Sequence, residues 1–269
     1  MPMKSPIQFN SIYAEVYKKY HAIAVEVGVF LLYLQDVLKQ IFQRPFRREI
    51  VLQQIEFIGI QSLPVVLLTG FATGAVFGLQ IGGIFLSFQA ESLMGGATGI
   101  ALATELAPLI TGFLLTGRVG AAMAAEIATM VVNEQIDALE SMGVHPIHYL
   151  VVPRVLASMF IMPFLCGLFM FIGVFASYIV GVLVFNVDSG VFYEKLLDLA
   201  NPHDIVVGLR KMLFFAFLIA VISCRLGLNA SKGAKGVGLA TTNAVVVSLL
   251  AILCTDFLIS FFQVKWMSS

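Results

Sequence analysis

Four ionisable side chains lie within or near the ends of long apolar segments, where a charge needs a partner. Glu105 and Asp256 fall in two different segments, and Arg210 and Lys211 lie together near the start of a third. A lone charge at the centre of a membrane costs about 3 kcal/mol unless it faces water, a cavity or an opposite charge. These residue types favour binding of a charged group over bond-making chemistry.

The motifs of common catalytic sites do not occur in the sequence. It contains no GxxxxGK[ST] phosphate loop, HExxH or GxSxG, and GAKGVG at 233–238 lacks the strand–turn–helix setting of a dinucleotide site. His145 and His148 are three residues apart, but no cysteine or carboxylate completes a metal-ligand set. We predict that the protein is not an enzyme and has no catalytic residue, cofactor, metal or nucleic-acid partner. If ATP drives it, the ATPase is another chain.

The composition identifies a lipid bilayer as the solvent. Hydrophobic residues make up 59% of the 269 residues and charged residues only 12%, about half the charged fraction of soluble domains. The apolar runs are continuous rather than alternating, and several exceed the roughly 20 residues that a helix needs to cross a bilayer. The sequence therefore predicts an all-α polytopic membrane protein.

Five segments are predicted to be transmembrane helices. Pro64 at the start of the first is typical of a helix N-terminus, whereas Pro163 inside the third predicts a kink or a break. Residues 186–204 form a polar connecting segment. The predicted spans are residues 62–90, 97–117, 150–185, 205–226 and 237–262.

Residues 11–42 precede the spans and are predicted to form an amphipathic helix in the membrane interface. Their charges are spread at helical spacing among Tyr, Val, Leu and Phe side chains, which is typical of interfacial helices. The alternative, a first spanning helix over 22–38, would bury Glu26 and Asp36. A basic break follows, made of Arg44, Pro45, Arg47 and Arg48.

The distribution of Lys and Arg predicts a cytoplasmic N-terminus, because cytoplasmic loops carry an excess of these residues. With five spans, eleven of the 16 fall on the N-terminal side and four on the other, while Arg118 lies at the inner interface. Residues 1–60 are then a cytoplasmic or interfacial region, and 61–269 the transmembrane domain. The eleven are Lys4, Lys18, Lys19, Lys39, Arg44, Arg47, Arg48, Arg154, Arg225, Lys232 and Lys235, and the four are Lys195, Arg210, Lys211 and Lys265.

This topology places Glu105, Arg210, Lys211 and Asp256 at similar depth near the outer surface, on three helices. We expect Lys211 to face the two acids across a shared polar cavity that receives a charged lipid headgroup. In the alternative interpretation, Glu105 hydrogen-bonds to a neighbouring helix, and Arg210 and Lys211 extend to the outer interface. Extension of the two cations does not explain the acids.

A short polar helix is predicted between the second and third spans. Asn133 can cap its N-terminus, and Gly143 followed by Pro146 ends it. Its apolar face consists of Ile136, Leu139 and Met142, and its acidic face of Glu134, Asp137 and Glu140. Such a helix can dock into a groove on a partner, and the alternative is a solvated loop helix.

A glycine stripe marks the first span, where Gly70, Gly74, Gly78 and Gly82 recur at every fourth residue. Such a stripe lets another helix backbone approach closely. We expect helix packing against it, and the alternative is a surface shaped for a lipid chain or a sliding partner helix.

Several separated motifs resemble, in order and spacing, the MlaE (YrbE) family of ABC transporter permeases. They cover roughly residues 53–262. The motifs are SLPVVLLTGFATGAVFGLQ, ELAPLITGFLLTGRVGAAMAAEIATMVVNEQIDALESMGVHPIHYLVVPR, VDSG and GAKGVGLATTNAVV followed by DF.

The resemblance implies a homodimeric permease in a Gram-negative inner membrane. Its implied activity is to move phospholipids or related lipids between the inner and outer membranes, which contributes to outer-membrane lipid asymmetry. The implied partners are a cytoplasmic ABC ATPase, a periplasmic MCE-domain lipid-binding protein, often a small STAS-domain subunit, and a second copy of the chain.

The resemblance also assigns roles to residues. Residues 126–143 correspond to the family's coupling helix, and the candidate ATPase contacts are Glu126, Glu134, Gln135, Ile136, Asp137, Leu139 and Met142. The family's outer-leaflet polar residues match Glu105, Lys211 and Asp256, and the candidate lipid pocket consists of these three with Phe88 and Thr104. The candidate structural residues are Gly70, Gly74, Gly78, Gly82, Arg118, Pro153 and Arg154. Some members carry an arginine where this chain has Thr104, which leaves the lipid open.

The alternative function is an ion-coupled secondary transporter with Glu105 and Asp256 as proton or cation sites. Transporters of this class are commonly built from inverted repeats, and we find none in the sequence. Recovery of a stoichiometric ATPase would separate the two functions.

Overall fold

The computed structural model describes residues 6–43 and 48–267, and the regular structure in these ranges is helical throughout. Contacts divide the chain into two units, Met1–Phe46 and Arg47–Ser269. Helix α1, Pro6–Ile41, forms the first unit. A helix was predicted at this position, and its location in the membrane interface stays a prediction. The predicted basic break at Arg44, Pro45 and Arg47 lies outside the described residues.

The second unit is an all-α membrane domain, as predicted. Its helices are α2 (Arg48–Gly59), α3 (Leu63–Ser87), α4 (Met94–Ala101), α5 (Ala107–Leu115), α6 (Ala121–Val132), α7 (Gln135–Ser141), α8 (Val152–Leu183), α9 (Ser189–Leu199), α10 (Pro202–Leu228) and α11 (Ala234–Met267). Five stretches of the described residues are long and apolar enough to cross a membrane: Arg48–Ser87, Glu91–Val132, Ile147–Leu183, Pro202–Leu228 and Ala234–Gln263. We name the end of these spans that carries α9 the outer end, after the predicted topology, and the end that carries α7 the inner end.

The connecting segment before the fourth span contains a helix that the sequence did not predict. Asp188 caps α9, because its Oδ1 accepts hydrogen bonds from the N–H groups of Gly190 (2.8 Å) and Val191 (3.2 Å). Phe192 on α9 is fully buried, and α9 packs against α4. The five charged residues of the connecting segment made it look polar in sequence, and only the packing of α9 against α4 shows that this helix has an apolar face.

Helix α8 continues through Pro163, so the break considered for this position does not occur. The irregular turns lie elsewhere, at three π-helical segments: Leu102–Leu106, Thr116–Gly120 and Ile147–Val151. Two of them directly precede the helices that begin near Pro108 and Pro153. Proline has no N–H to donate to the carbonyl of the preceding turn, and its ring would clash with that carbonyl. The wider π-helical turn makes room for it.

The four stripe glycines are buried; Gly70, Gly74 and Gly78 face α8, and Gly82 faces Phe185 just after the end of α8. At the closest point, a Cβ added to Gly74 would overlap the backbone of Gly173. Lipid tails are as apolar as leucine, so helices in a membrane associate through close packing rather than through a hydrophobic driving force. Helix α8 in turn packs against α2 and α10, and α10 packs against α5, α6 and α11.

We predict that Gly74→Val destabilises the domain by about 1–3 kcal/mol, because the two helix backbones must separate to admit the side chain. Gly83→Val is the matched control, since Gly83 lies in the same helix with nothing within 4 Å of an added Cβ. Thermal unfolding of the purified full chain in detergent measures both. Equal stability of the two variants would contradict the packing assigned to the stripe.

Candidate functional site

The structure brings Glu105, Lys211 and Asp256 together at the outer end of three spans. The Lys211 ammonium lies 2.7 Å from Glu105 Oε2 and 3.2 Å from Asp256 Oδ1. It also donates a hydrogen bond to Ser260 Oγ at 2.8 Å, and Ser260 in turn donates to Glu105 Oε1 at 3.2 Å. We name these four residues the ion cluster. It contains one cation and two carboxylates.

Burial differs sharply among the three charged residues. The Lys211 side chain is 1% exposed, that of Asp256 16% and that of Glu105 45%. Asp256 Oδ1 is within ion-pair distance of the ammonium but is not aligned for a hydrogen bond. The cluster is therefore closed around Lys211 and open at Glu105. Solvent or a ligand can therefore reach the cluster from the side of Glu105.

Two local features set the distance between Glu105 and Lys211. Glu105 lies in the π-helical turn Leu102–Leu106, which inserts an extra residue into the helix. Helix α10 approaches this turn at Gly208, where an added Cβ would overlap the carbonyl oxygen of Ala103. Lys211 follows Gly208 by about one helical turn. The close approach of the two backbones therefore brings the lysine within reach of the acid.

Ser260 is a member of the cluster that sequence reasoning missed. It lies four residues after Asp256 on α11, so both side chains share one helix face. That spacing was the only feature of the sequence that could have indicated Ser260 as a neighbour of Asp256. A serine in an apolar helix is common, however, and its hydroxyl normally bonds to the preceding turn.

The other outer candidates do not join the cluster. Among the described residues, its ion pairs and hydrogen bonds include neither Phe88 nor Thr104. Phe88 is 74% exposed at the end of α3, and the Thr104 hydroxyl donates to the carbonyl of Ile100 at 2.9 Å. Arg210 is exposed, in contrast to the adjacent Lys211.

At the inner end, the predicted docking helix is α7, but its N-terminus differs from the prediction. Asn133 ends α6 instead of capping α7, because its N–H donates to the carbonyl of Thr129 at 3.0 Å. Glu134 follows with a left-handed backbone, φ 56°, and turns the chain into α7 at Gln135. The continuous α6 explains the error, since the sequence alone did not show that the second span extends to Val132.

The C-terminus of α7 matches the prediction. Gly143 has φ +73°, its N–H donates to Glu140, and the N–H of Val144 donates to Leu139, each at 2.9 Å. This pattern is a Schellman motif, which requires a residue that tolerates the left-handed region. Ile136 and Leu139 are half-buried, while the other predicted members at this helix are exposed: Glu134, Gln135, Asp137 and Met142.

Glu126 is separated from the other coupling candidates. It lies on α6, and its Oε2 is 2.8 Å from an Arg154 guanidinium nitrogen on α8. The Arg154 side chain is 4% exposed, and it also donates to the carbonyl of Leu150 at 2.7 Å. This pair joins α6 to α8 near the inner end.

Arg118 joins the second span to the turn between α2 and α3 in the first. Its guanidinium donates to Ser62 Oγ and to Gln61 Oε1, the latter at 2.9 Å, and lies 5.7 Å from the centre of the Phe57 ring. Pro153 lies in the first turn of α8, directly after the π-helical segment Ile147–Val151, whose wider turn accommodates its missing N–H.

Comparison with known proteins identifies a family. The sequence model of the family described as Permease MlaE matches residues 51–262. The chain is 42% identical to a probable ABC transporter permease protein of Rickettsia prowazekii (strain Madrid E), over 90% of this chain and 94% of the relative. A probable ABC transporter permease protein of Synechocystis sp. is 39% identical over 84% of this chain and 86% of that relative.

A plant relative is also similar. Protein TRIGALACTOSYLDIACYLGLYCEROL 1, chloroplastic, of Arabidopsis thaliana is 39% identical over 79% of this chain and 61% of its own length. The name of this relative contains that of a glycolipid.

We predict that Lys211→Met lowers the free energy of unfolding by about 3–5 kcal/mol, because it leaves two carboxylates without their cation. Adding Glu105→Gln and Asp256→Asn to this variant removes the unpaired charges and is expected to recover most of the loss. Unfolding of the purified full chain in detergent, followed for both variants, tests the ion cluster. A triple variant as unstable as Lys211→Met would contradict it.

Proposed function

The chain belongs to the MlaE permease family, and from this premise we propose that it is the membrane subunit of an ABC transporter of lipids. It moves phospholipids or related lipids between the inner and outer membranes of a Gram-negative cell and so contributes to outer-membrane lipid asymmetry. A permease of this class works with an ATPase, and the sequence itself carries no phosphate loop. The glycolipid in the name of the plant relative supports a lipid substrate.

The observation that carries the proposal is the buried Lys211 between Glu105 and Asp256. Burying an ion cluster adds little net stability compared with apolar side chains of the same volume. Its presence at the outer end of an apolar domain is therefore better explained by recognition of a polar headgroup. The headgroup approaches from the side of the half-exposed Glu105, and the Lys211 ammonium is the cation that binds its phosphate.

The cytoplasmic ATPase is proposed to bind at α7. A groove of about 510 Å³ lies beside this helix, and Ile136, Val144 and Leu228 contribute apolar walls to it. Exposed Met142 lies about one turn after Leu139, which lies about one turn after Ile136, and it extends the apolar surface. A half-buried apolar surface on a short helix outside the membrane fits a partner's groove.

The orientation follows from this assignment. The N-terminus and α7 face the cytoplasm, and the ion cluster lies toward the periplasm, in agreement with the excess of Lys and Arg on the N-terminal side. Two copies of the permease, the ATPase, a periplasmic MCE-domain lipid-binding protein and a STAS-domain subunit form the proposed complex. Helix α11 offers an exposed apolar face for such contacts, with Val246, Leu250 and Phe257 among its residues.

We predict that Lys211→Glu abolishes lipid transport, because it replaces the only cation of the ion cluster with a third acid. The assay reconstitutes the permease with its ATPase in vesicles and follows ATP-dependent transfer of a fluorescent phospholipid to acceptor vesicles. Lys232→Glu, at an exposed position near the inner end, is the charge-matched control and retains transport.

Full ATP-dependent transport by Lys211→Glu would exclude a headgroup role for the cluster. Transport by the wild-type protein that survives ATP depletion but stops with an uncoupler would instead support an ion-coupled secondary transporter. Size-exclusion profiles of each variant show whether the protein remains folded.

We predict that Ile136→Asp combined with Leu139→Asp abolishes binding of the ATPase, because two charges enter an interface that must exclude water. Ser141→Asp is the control, since Ser141 is exposed and lies neither three nor four residues from Ile136, Leu139 or Met142. Co-purification of the ATPase with each full-length variant measures the effect, and membrane insertion and oligomeric state are expected to stay unchanged. An intact complex with the double variant would exclude α7 as the docking helix.

A further inference from the structure

A groove of about 540 Å³ runs between α10 and α11 at the outer end of the domain. Val207 and Phe214 on α10 and Ile259 and Phe262 on α11 form its apolar walls. Its dimensions and lining suit a hydrocarbon chain. We name it the outer groove.

Cationic and N–H donor groups accompany these apolar walls. Arg210 and His203 line the groove and are exposed, and neither forms an ion pair with another described residue. A guanidinium binds a phosphate through two parallel N–H···O bonds, and an imidazole N–H adds a further donor. An apolar channel with cationic donors at its membrane-surface end is complementary to an anionic phospholipid.

Gln263 supplies a second, independent observation. It lines the groove, and its Oε1 is buried and has no hydrogen-bond partner among the residues that the structure describes. A buried amide oxygen without a hydrogen-bond donor is destabilising. A ligand hydroxyl or ammonium group that donates to this oxygen would remove the penalty. The side chains of the groove are therefore complementary to a ligand that carries a phosphate and, beyond the phosphate, a hydrogen-bond donor.

The outer groove is distinct from the ion cluster, although Lys211 lies between them. The Lys211 ammonium is engaged by Glu105, Asp256 and Ser260, so only its aliphatic stem is left for the groove. Neither acid lines the groove. A lipid in the outer groove would contact Arg210, His203 and Gln263 without entering the cluster.

We propose that the outer groove binds one anionic glycerophospholipid whose headgroup carries a hydroxyl donor, of the phosphatidylglycerol type. One acyl chain lies between α10 and α11, Arg210 and His203 hold the phosphate, and Gln263 accepts a hydrogen bond from a headgroup hydroxyl. The site goes beyond the proposed transport function, because it does not need the ion cluster or an ATPase to bind its lipid.

The test uses the full-length permease in phosphatidylcholine nanodiscs, with p-benzoylphenylalanine in place of Phe214 as a photocrosslinker in the groove wall. Radiolabelled phosphatidylglycerol is titrated, and the crosslinked fraction gives its apparent affinity. Arg210→Gln combined with His203→Gln is expected to weaken this affinity about tenfold, because the charged hydrogen bonds to the phosphate are lost. Lys235→Gln removes an exposed cation at the inner end and is expected to leave it unchanged.

A second variant tests the headgroup donor. Phosphatidylmethanol keeps the phosphate charge but has no headgroup hydroxyl, so the wild-type protein should prefer phosphatidylglycerol to it several-fold, on the order of one hydrogen bond. Gln263→Leu is expected to remove this preference while phosphate binding persists.

Unchanged crosslinking in the Arg210 and His203 variant, or equal competition by phosphatidylcholine, would overturn the proposal. So would a wild-type protein without preference between the two anionic lipids. These outcomes are separate from the transport assay. Transport that stops with Lys211→Glu supports the proposed function whether or not the outer groove holds a lipid.

Discussion

The need of the Lys211 ammonium for counter-charges governs the outer end of the domain. Its side chain is almost fully buried among helices that are otherwise apolar, where an unpaired charge is far more costly than in water. Two carboxylates and a hydroxyl from two neighbouring spans satisfy it. Because Glu105 remains half exposed, the same contacts that stabilise Lys211 leave one of its partners accessible. Under the proposed function, this accessible partner serves to recognise a polar ligand.

Small residues make that arrangement possible. Gly208 lets α10 contact the π-helical turn of Glu105, and Gly74 lets α3 contact Gly173 on α8. Each contact depends on a missing side chain, since a Cβ at either position would overlap a neighbouring backbone. In soluble proteins the hydrophobic effect drives helices together, whereas in a membrane the close packing of helix backbones provides the attraction. The glycines therefore set the helix positions, and the helix positions set the distances of the ion cluster.

The second span connects the two ends of the protein. The helical stretch Glu91–Val132 contains Glu105 near its outer end and leads at its inner end into α7. Arg118 holds it to the turn between α2 and α3 in the first span, and the pair of Glu126 and Arg154 holds it to α8. Under the proposed function, a force that the ATPase applies to α7 acts on the same continuous helix that carries a headgroup contact.

Much of the fold could be predicted from the sequence, because the length and hydrophobicity of a segment decide whether it crosses a membrane. The five spans, the positions of Glu105, Lys211 and Asp256 near one end, and the glycine that ends α7 all follow from local chemistry. Only the tertiary structure showed the features that depend on contacts between helices. Lys211 and Arg210 are adjacent in sequence, yet one is buried among acids and the other is exposed, since their side chains leave α10 on different faces. The role of Ser260 and the apolar face of α9 depend on which helix lies opposite. The position of Asn133 at the end of α6 depends on how far that helix continues. The composition of a single segment does not contain this information.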